Sequence, residues 1–264
     1  MRFPSREARA FLAQALGVAE AFVLAHPEIP VAPSICQAFR AFLHRREQGE
    51  PYHLIVGSCS FYGREFLVLR GVLIPRPESE LLVEAVLKLP LPEAARVVDV
   101  GTGSGCLAVT LALELPKALV VASDISWQAV AAAKLNAARF GTLVRICLGD
   151  LASHLRGPFH LLVANLPYLP DSFREKAPKE LAFEPPEALY AGPDGLAALT
   201  RLLHHLPRLL APGGFALLEV GPGQAQTLVA GLPKGLGLVN VLEDVAGVQR
   251  VLVLERVRAT LQPF

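Results

Sequence analysis

The chain has 264 residues, 25 basic and 24 acidic side chains, a formal net charge of +1 and a hydrophobic fraction of 52%. That length fits about two domains, and the apolar content excludes a disordered chain. The near-zero charge argues against a nucleic-acid coat or a polybasic membrane binder.

No apolar run escapes the 22 prolines, the 21 glycines or a charged residue for long enough to span a membrane, so no transmembrane helix is expected. The first residues, with Arg6, Glu7 and Arg9 close behind Met1, lack the apolar core of a signal peptide. Cys36, Cys59, Cys106 and Cys147 are scattered without a CxxC pair, which fits a reduced cytoplasmic enzyme rather than a disulfide or zinc scaffold.

In chain order, Ser5 is placed to cap a helix from Arg6 to Leu16 that stops at Gly17. Ser34 is placed to cap a second from Ile35 to Gln48, with Phe39, Phe42 and Leu43 forming its buried stripe. Residues 61–74 read as extended, with a turn at Gly71, and Pro75-Arg76-Pro77 opens a helix through Leu89. From residue 96 the pattern alternates. Strands are predicted at Arg96–Val100, Leu119–Ser123, Leu143–Leu148, His160–Ala164 and Phe215–Val220. Helices are predicted at Ser104–Leu115, Ser126–Arg139 and about 224–231. Two extended runs, about 236–242 and 248–257, close the chain and are expected to pair antiparallel at a sheet edge. Apolar strands alternating with helices imply a doubly wound, mostly parallel sheet covered on both faces.

The charge divides unevenly: residues 1–70 net +2 and residues 71–264 net −1. A helical, partner-recognising domain is expected over residues 1–70, which is the mildly basic part, followed by an extended linker or hairpin to about 75, with the α/β domain over 76–264.

Open α/β sheets bind ligands at the carboxyl ends of their strands. Four predicted strands end there in polar or glycine-rich signals: Asp99 followed by Gly101-Thr102-Gly103-Ser104-Gly105, then Asp124, then Gly149-Asp150, then Asn165. The glycine turn lacks the third glycine of a dinucleotide fingerprint, because Cys106 stands there, and it is not a P-loop. A nucleoside without a pyrophosphate fits better. Asp124, about twenty residues on, is placed for ribose hydroxyls and Asp150 for an adenine amine. Asn165-Leu166-Pro167-Tyr168 reads either as a simple turn or as a clamp for a planar NH2 group, built from a carboxamide, a backbone carbonyl and an aromatic face. His204 and His205 are adjacent and make a poor metal site, and no metal is expected. Cys106 and Trp127 are expected to pack as helix residues.

The Asp99–Gly105 and Asn165–Tyr168 segments resemble those of S-adenosylmethionine-dependent methyltransferases that act on planar nitrogens. More narrowly, the chain resembles the HemK/PrmC family, the N5-glutamine methyltransferases of class I peptide chain release factors. Further matches are Phe61–Phe66, Val72–Glu80, Glu184-Pro185 with Ala188-Leu189, Asp194–Leu196, and Asp244–Gly247 with Arg250. The resemblance covers about residue 50 to the end. It departs at Leu166, where the family has proline, and at Leu151, where the family often has an aromatic residue.

The resemblance implies a class I, Rossmann-like methyltransferase fold with an antiparallel edge and a small N-terminal helical domain. It implies methyl transfer from S-adenosylmethionine, with S-adenosylhomocysteine as product, to the glutamine of the Gly-Gly-Gln loop of release factors. Its implied cofactor residues are Asp99, Gly101 to Gly105, Asp124, Ile125, Asp150, Leu151 and Asn165. Asn165, Leu166, Pro167 and Tyr168 are the implied catalytic clamp, with Arg76 and Glu78 as further substrate contacts or as a helix-start ion pair. A cytoplasmic monomer that binds neither membrane nor DNA is expected. A glutamine methyltransferase of a ribosomal protein, an adenine-N6 nucleic-acid methyltransferase and a non-catalytic nucleoside-binding scaffold remain alternatives.

Overall fold

The computed structural model describes residues 5–258. Four helices come first: α1 (Ser5–Leu16), α2 (Glu20–Ala25), α3 (Pro33–Glu47) and α4 (Tyr52–Val56). The side chain of Ser5, and with it the expected cap, lies outside the described residues. Ser34 does not cap α3. Pro33 already occupies the first turn, where its missing N–H costs nothing, and Ala32 is the capping position without a side-chain bond. Phe39, Phe42 and Leu43 are only half buried, and Phe42 meets the ring of Phe11 at 5.8 Å.

The run 61–74 is not one extended segment. It is broken by a hairpin, β1 (Ser58–Phe61) and β2 (Arg64–Leu67), whose two turn residues Tyr62 and Gly63 both have positive φ. A two-residue loop of that kind matches the twist of paired strands. The Tyr62 amide is held by the Glu80 carboxylate at 2.8 Å, which helps a non-glycine residue tolerate φ 49°. Gly71 does turn, at φ 78°. A short 3₁₀ turn at Pro77–Ser79 then leads into α5 (Glu80–Val86).

The remaining elements are β3 (Arg96–Val100), α6 (Cys106–Glu114), β4 (Leu119–Asp124), α7 (Trp127–Arg139), β5 (Arg145–Leu148), β6 (Phe159–Ala164), α8 (Ala197–Leu209), β7 (Leu210–Glu219), α9 (Ala225–Ala230), β8 (Leu236–Glu243) and β9 (Gln249–Arg256). They build a sheet in the order β5-β4-β3-β6-β7-β9-β8. Pairing is parallel from β5 through β7, and β9 runs antiparallel to both β7 and β8.

Side chains alternate between the two faces of each strand. Val97, Leu161, Val163 and Leu217 pack on the side of α5, α6 and α7. Val98, Val100, Leu162 and Leu218 pack on the side of α8 and α9. Helix α8 is not among the elements expected from sequence. Its Leu199, Leu202, Leu203, Leu206 and Leu209 are all buried, and that stripe outweighs the cost of Pro207 in the last turn. Trp127, expected to pack, is 67% exposed. It stands at the first position of α7, and the buried positions of that helix are Ala129, Ala132, Ala133, Asn136 and Ala137.

Asn136 ties the hairpin to the glycine turn that follows β3. Its side-chain oxygen accepts from the Leu67 amide at 2.8 Å, and its nitrogen donates to the Leu67 carbonyl at 3.1 Å and the Ser104 carbonyl at 2.8 Å. The residue is completely buried, so removing the amide strands the buried Ser104 carbonyl and frees both Leu67 backbone groups. Asn136→Ala is expected to destabilise the fold by roughly 2–3 kcal/mol, read as a lower midpoint of denaturant unfolding. An unchanged midpoint would show that the hairpin is held by its apolar contacts alone.

Candidate active site

Because β3, β4, β5, β6 and β7 run parallel, their carboxyl ends share one edge of the sheet. Asp99, Asp124, Gly149-Asp150 and Asn165 lie there, at or just past the ends of β3 to β6. Glu219, at the end of β7, joins them. It is absent from the residues singled out by sequence, although it closes an apolar strand just as the others do.

The turn after β3 is held from below. The amides of Gly101 and Thr102 donate to the Ser123 carbonyl at 2.8 and 3.0 Å, and the Thr102 hydroxyl donates to Asp99 Oδ2 at 2.6 Å. Asp99 is completely buried, and its Oδ1 has no partner among the described residues. Burial raises its pKa to about 7 against the pull of the Thr102 bond. The two oxygens of Asp124 accept from the Gly103 amide and the Ser126 amide, each at 2.9 Å. Burial pushes this carboxyl upward too, while those backbone bonds favour its charged form.

The glycines differ in what they make room for. A Cβ on Gly105 would stand 2.9 Å from the backbone of Ala133, so this glycine serves the approach of α6 to α7 rather than of a ligand. A Cβ on Gly101 would lie 2.6 Å from Leu166 Cδ2, so the Leu166 side chain covers the turn.

Two cavities open on this edge. The smaller, about 210 Å³, is lined by Gly101, Gly103, Asp124, Ile125, Asp150 and Leu151 together with Asn165. The structure therefore brings these sequence-predicted residues together. It leaves Asp99, Thr102, Ser104 and Gly105 behind the wall. Arg201 also lines this cavity and donates to Asp150 Oδ2 at 2.5 Å. It lies on α8, whose leucine spacing is the signal in the sequence that would reveal it.

The larger cavity, about 440 Å³, is walled by Asn165 to Tyr168 and Arg76 on one side and by Tyr52 and His53 of the helical region on another. Leu73, Asn165, Leu166, Pro167 and Ala188 line both cavities, so the Asn165 loop is the wall between them.

The Asn165 carboxamide donates through Nδ2 to Ser79 Oγ at 2.8 Å. Ser79 donates to Glu219 Oε2 at 2.6 Å, and the Tyr168 hydroxyl donates to Glu219 Oε1 at 3.3 Å. Among the described residues, neither Asn165 Oδ1 nor the Leu166 carbonyl accepts a hydrogen bond from the protein. The Tyr168 carbonyl is fixed by Gln224 Nε2 at 2.9 Å. It also passes so close to Gly195 that a Cβ there would stand 2.1 Å away. Burial next to Glu219 raises the Tyr168 pKa, keeping its hydroxyl protonated.

Arg76 and Glu78 do not pair with each other. Arg76 binds Glu184, a buried carboxylate that also accepts from the Ile74 amide at 2.9 Å. Glu78 is exposed and lines neither cavity.

The proline-rich stretch 165–195 folds into 3₁₀ turns at Asp171–Lys176, Lys179–Phe183 and Pro186–Ala188 and closes on itself through a bridge between Leu169 and Tyr190. Arg46 of α3 reaches it, contacting Glu180 at 2.5 Å. Among the described residues no cluster of His, Cys, Asp or Glu is arranged to hold a metal ion, and no helix is long and apolar enough to cross a membrane.

A family model described as "PrmC N-terminal domain" matches residues 2–57, and one described as "Methyltransferase small domain" matches residues 77–190. The release factor glutamine methyltransferase of Bordetella pertussis is 41% identical over 252 residues, covering 94% of this chain and 93% of its own. That of Neisseria gonorrhoeae is 41% identical over 256 residues, covering 95% and 93%. The chain belongs to the release factor glutamine methyltransferase family. Its fold is that of the class I methyltransferases. A Thermus thermophilus 16S rRNA methyltransferase, solved with AdoMet and guanosine, superposes with a TM-score of 0.54 at 19% identity, covering 76% of this chain and 50% of its own.

The leucine at position 166, where the family has Asn-Pro-Pro-Tyr, has a physical explanation in the packing. Its side chain is buried in the core cluster on the α8 face and packs over Gly101. No hydrogen bond from its amide is present among the described residues, so proline would remove none. Leu166→Pro is expected to keep methyl transfer while costing roughly 1–2 kcal/mol of packing, measured as turnover and as a denaturation midpoint. Loss of turnover in a folded variant would contradict this view of the loop.

Proposed function

We propose that this chain methylates the side-chain amide nitrogen of the glutamine in the Gly-Gly-Gln loop of class I peptide chain release factors, using S-adenosylmethionine. The observation that carries this is the Asn165 loop. It separates two cavities and keeps two acceptors, Asn165 Oδ1 and the Leu166 carbonyl, without protein partners among the described residues. A primary amide offers two N–H groups, which match two acceptors.

The smaller cavity fits the cofactor. Gly103 leaves open space beside its backbone, and the Asp124 oxygens keep lone pairs for ribose hydroxyls beyond those used by Gly103 and Ser126. Leu73 and Leu151 supply apolar wall, Ile125 flanks Asp124, and Asp150 stands at the far end for an adenine amine. Asp99, Thr102, Ser104 and Gly105 act from behind by holding the turn. When bound, S-adenosylmethionine supplies a methyl already activated on a sulfonium and leaves as S-adenosylhomocysteine.

The protein's task is to present the nucleophile. An amide nitrogen is weak because its lone pair is shared with the carbonyl. Asn165 Oδ1 and the Leu166 carbonyl fix its orientation and stabilise the positive charge that develops on it. Tyr168 packs on the amide plane, and Pro167 stiffens the loop. No strong base is needed first, since the proton is lost after transfer. Arg76, held by Glu184, frames the opening; Glu78, outside both cavities, acts only through its charge.

The helical region to about residue 70, with its hairpin and linker to about 75, selects the partner, and the rest is the methyltransferase domain. The catalytic half nets −1, which favours a protein amide over a DNA base, since a DNA enzyme must grip phosphates. One chain builds both cavities, so a monomer suffices. A partner that works on the ribosome places the enzyme in the cytoplasm.

Two measurements test this reading. Incubation with labelled cofactor and purified release factor is expected to place the methyl on the Gly-Gly-Gln glutamine by mass spectrometry. A methyl on another residue, or on a ribosomal protein alone, contradicts it. Asn165→Ala is expected to lower turnover by ~10²-fold or more with cofactor affinity unchanged. Near-normal turnover would remove Asn165 from the chemistry.

A further inference from the structure

A carboxamide has nearly the same shape at its two ends, yet one end only donates hydrogen bonds and the other only accepts. If Asn165 grips the glutamine amide, its oxygen must face the larger cavity. We propose that Glu219 is a positioning residue that sets this orientation through Ser79, and that methyl transfer therefore requires Glu219 to be ionised. This inference rests on the reading of Asn165 as the substrate's acceptor.

The direction of each bond follows from the carboxylate. An ionised Glu219 only accepts, so Ser79 and Tyr168 each turn their single proton toward it, at 2.6 and 3.3 Å. With its proton committed, Ser79 Oγ has only lone pairs to offer Asn165. Only Nδ2 can answer them, which it does at 2.8 Å. Asn165 Oδ1 is then left for the substrate. Protonation of Glu219 on Oε2, the oxygen that faces Ser79, reverses the chain. The carboxyl then donates to Ser79 Oγ, the Ser79 proton turns to Asn165 Oδ1, and the NH2 end enters the cavity, where it cannot accept from an amide. Ser79 and Glu219 are 2% and 1% exposed, so bulk water does not stand in for either.

The groups around Glu219 pull in both directions. Burial raises its pKa to about 7, the Ser79 and Tyr168 bonds and the Arg250 charge on β9 lower it, and Glu78 beside Ser79 raises it. Arg250 is itself paired with Asp244 at 2.8 Å. Since the carboxylate is the competent form, turnover should fall as pH drops through about 7. Asp99 also has its pKa raised to about 7, but it lies under the cofactor turn. Its titration should appear in cofactor affinity rather than in turnover at saturating cofactor.

The test is kcat and KM for purified release factor at saturating cofactor, from about pH 5.5 to 8.5, in the wild type and three variants. Wild-type kcat is expected to fall about tenfold per pH unit on the acid side. Glu219→Gln, neutral at every pH, is expected to lose that acid limb. Ser79→Ala cuts the link and is expected to lower kcat about tenfold with a flat profile, whereas Ser79→Thr, which keeps the hydroxyl, restores both turnover and the limb. At each pH, cofactor affinity in every variant should equal that of the wild type, which also reports that each variant is folded. A wild-type kcat without an acid limb overturns the proposal, as does a Glu219→Gln or Ser79→Ala enzyme that keeps the limb unchanged. If Asn165→Ala is inactive in that case, the acceptor role survives and only the positioning role falls. If Asn165→Ala is active, the reading beneath both has failed.

Discussion

The hydrogen bond from Asn165 Nδ2 to Ser79 Oγ is the contact on which the arrangement of the site depends. It joins the loop after β6 to the turn that opens α5, and Ser79 continues it to the end of β7 through Glu219. Three distant parts of the chain thereby fix one carboxamide. The same bond leaves Asn165 Oδ1 without a protein partner among the described residues, and the loop it holds is the shared wall of both cavities. Direct transfer between two ligands needs such a wall, since each must be bound separately and still meet at one point.

Two supports surround that contact. On the side of the smaller cavity, the glycine turn is fastened to the sheet by the Ser123 carbonyl, by Asp99 through Thr102 and by Asp124 through Gly103, with Leu166 packed above it. On the side of the larger cavity, Glu184 binds both Ile74 and Arg76, so the segment carrying Ser79 is anchored from the folded rim. Arg46 links that rim to the helical region, placing the first helices beside the larger cavity rather than at a distance from the chemistry.

Much of this is legible in the sequence because it is local. Apolar runs alternating with helices lead to the doubly wound sheet, and the polar residues ending β3 to β6 lead to the edge where the two cavities open. What escapes is long-range or locally contradictory. Ser79 and Glu219 lie 140 positions apart, and each alone looks ordinary, a serine in a helix start and a glutamate near the end of a strand. Asn136 looks like any helix surface residue until Leu67 and Ser104 are brought against it. Helix α8 is hidden by Pro207 and two histidines, although its leucine stripe is regular. The break at Tyr62-Gly63 is masked because aromatic residues favour strands, while this tyrosine sits in a positive-φ turn held by Glu80. The glycines of the turn look alike in sequence. Only neighbouring elements distinguish Gly105, which serves packing, from Gly101, which lies beneath Leu166.

The most direct measurement is a crystal structure with S-adenosylhomocysteine in the smaller cavity and a Gly-Gly-Gln peptide in the larger one. The glutamine amide nitrogen is expected about 3 Å from both Asn165 Oδ1 and the Leu166 carbonyl, with Asn165 Nδ2 still on Ser79. A glutamine bound elsewhere, or an Asn165 turned so that its nitrogen meets the substrate, would contradict the central role of the Asn165–Ser79 hydrogen bond.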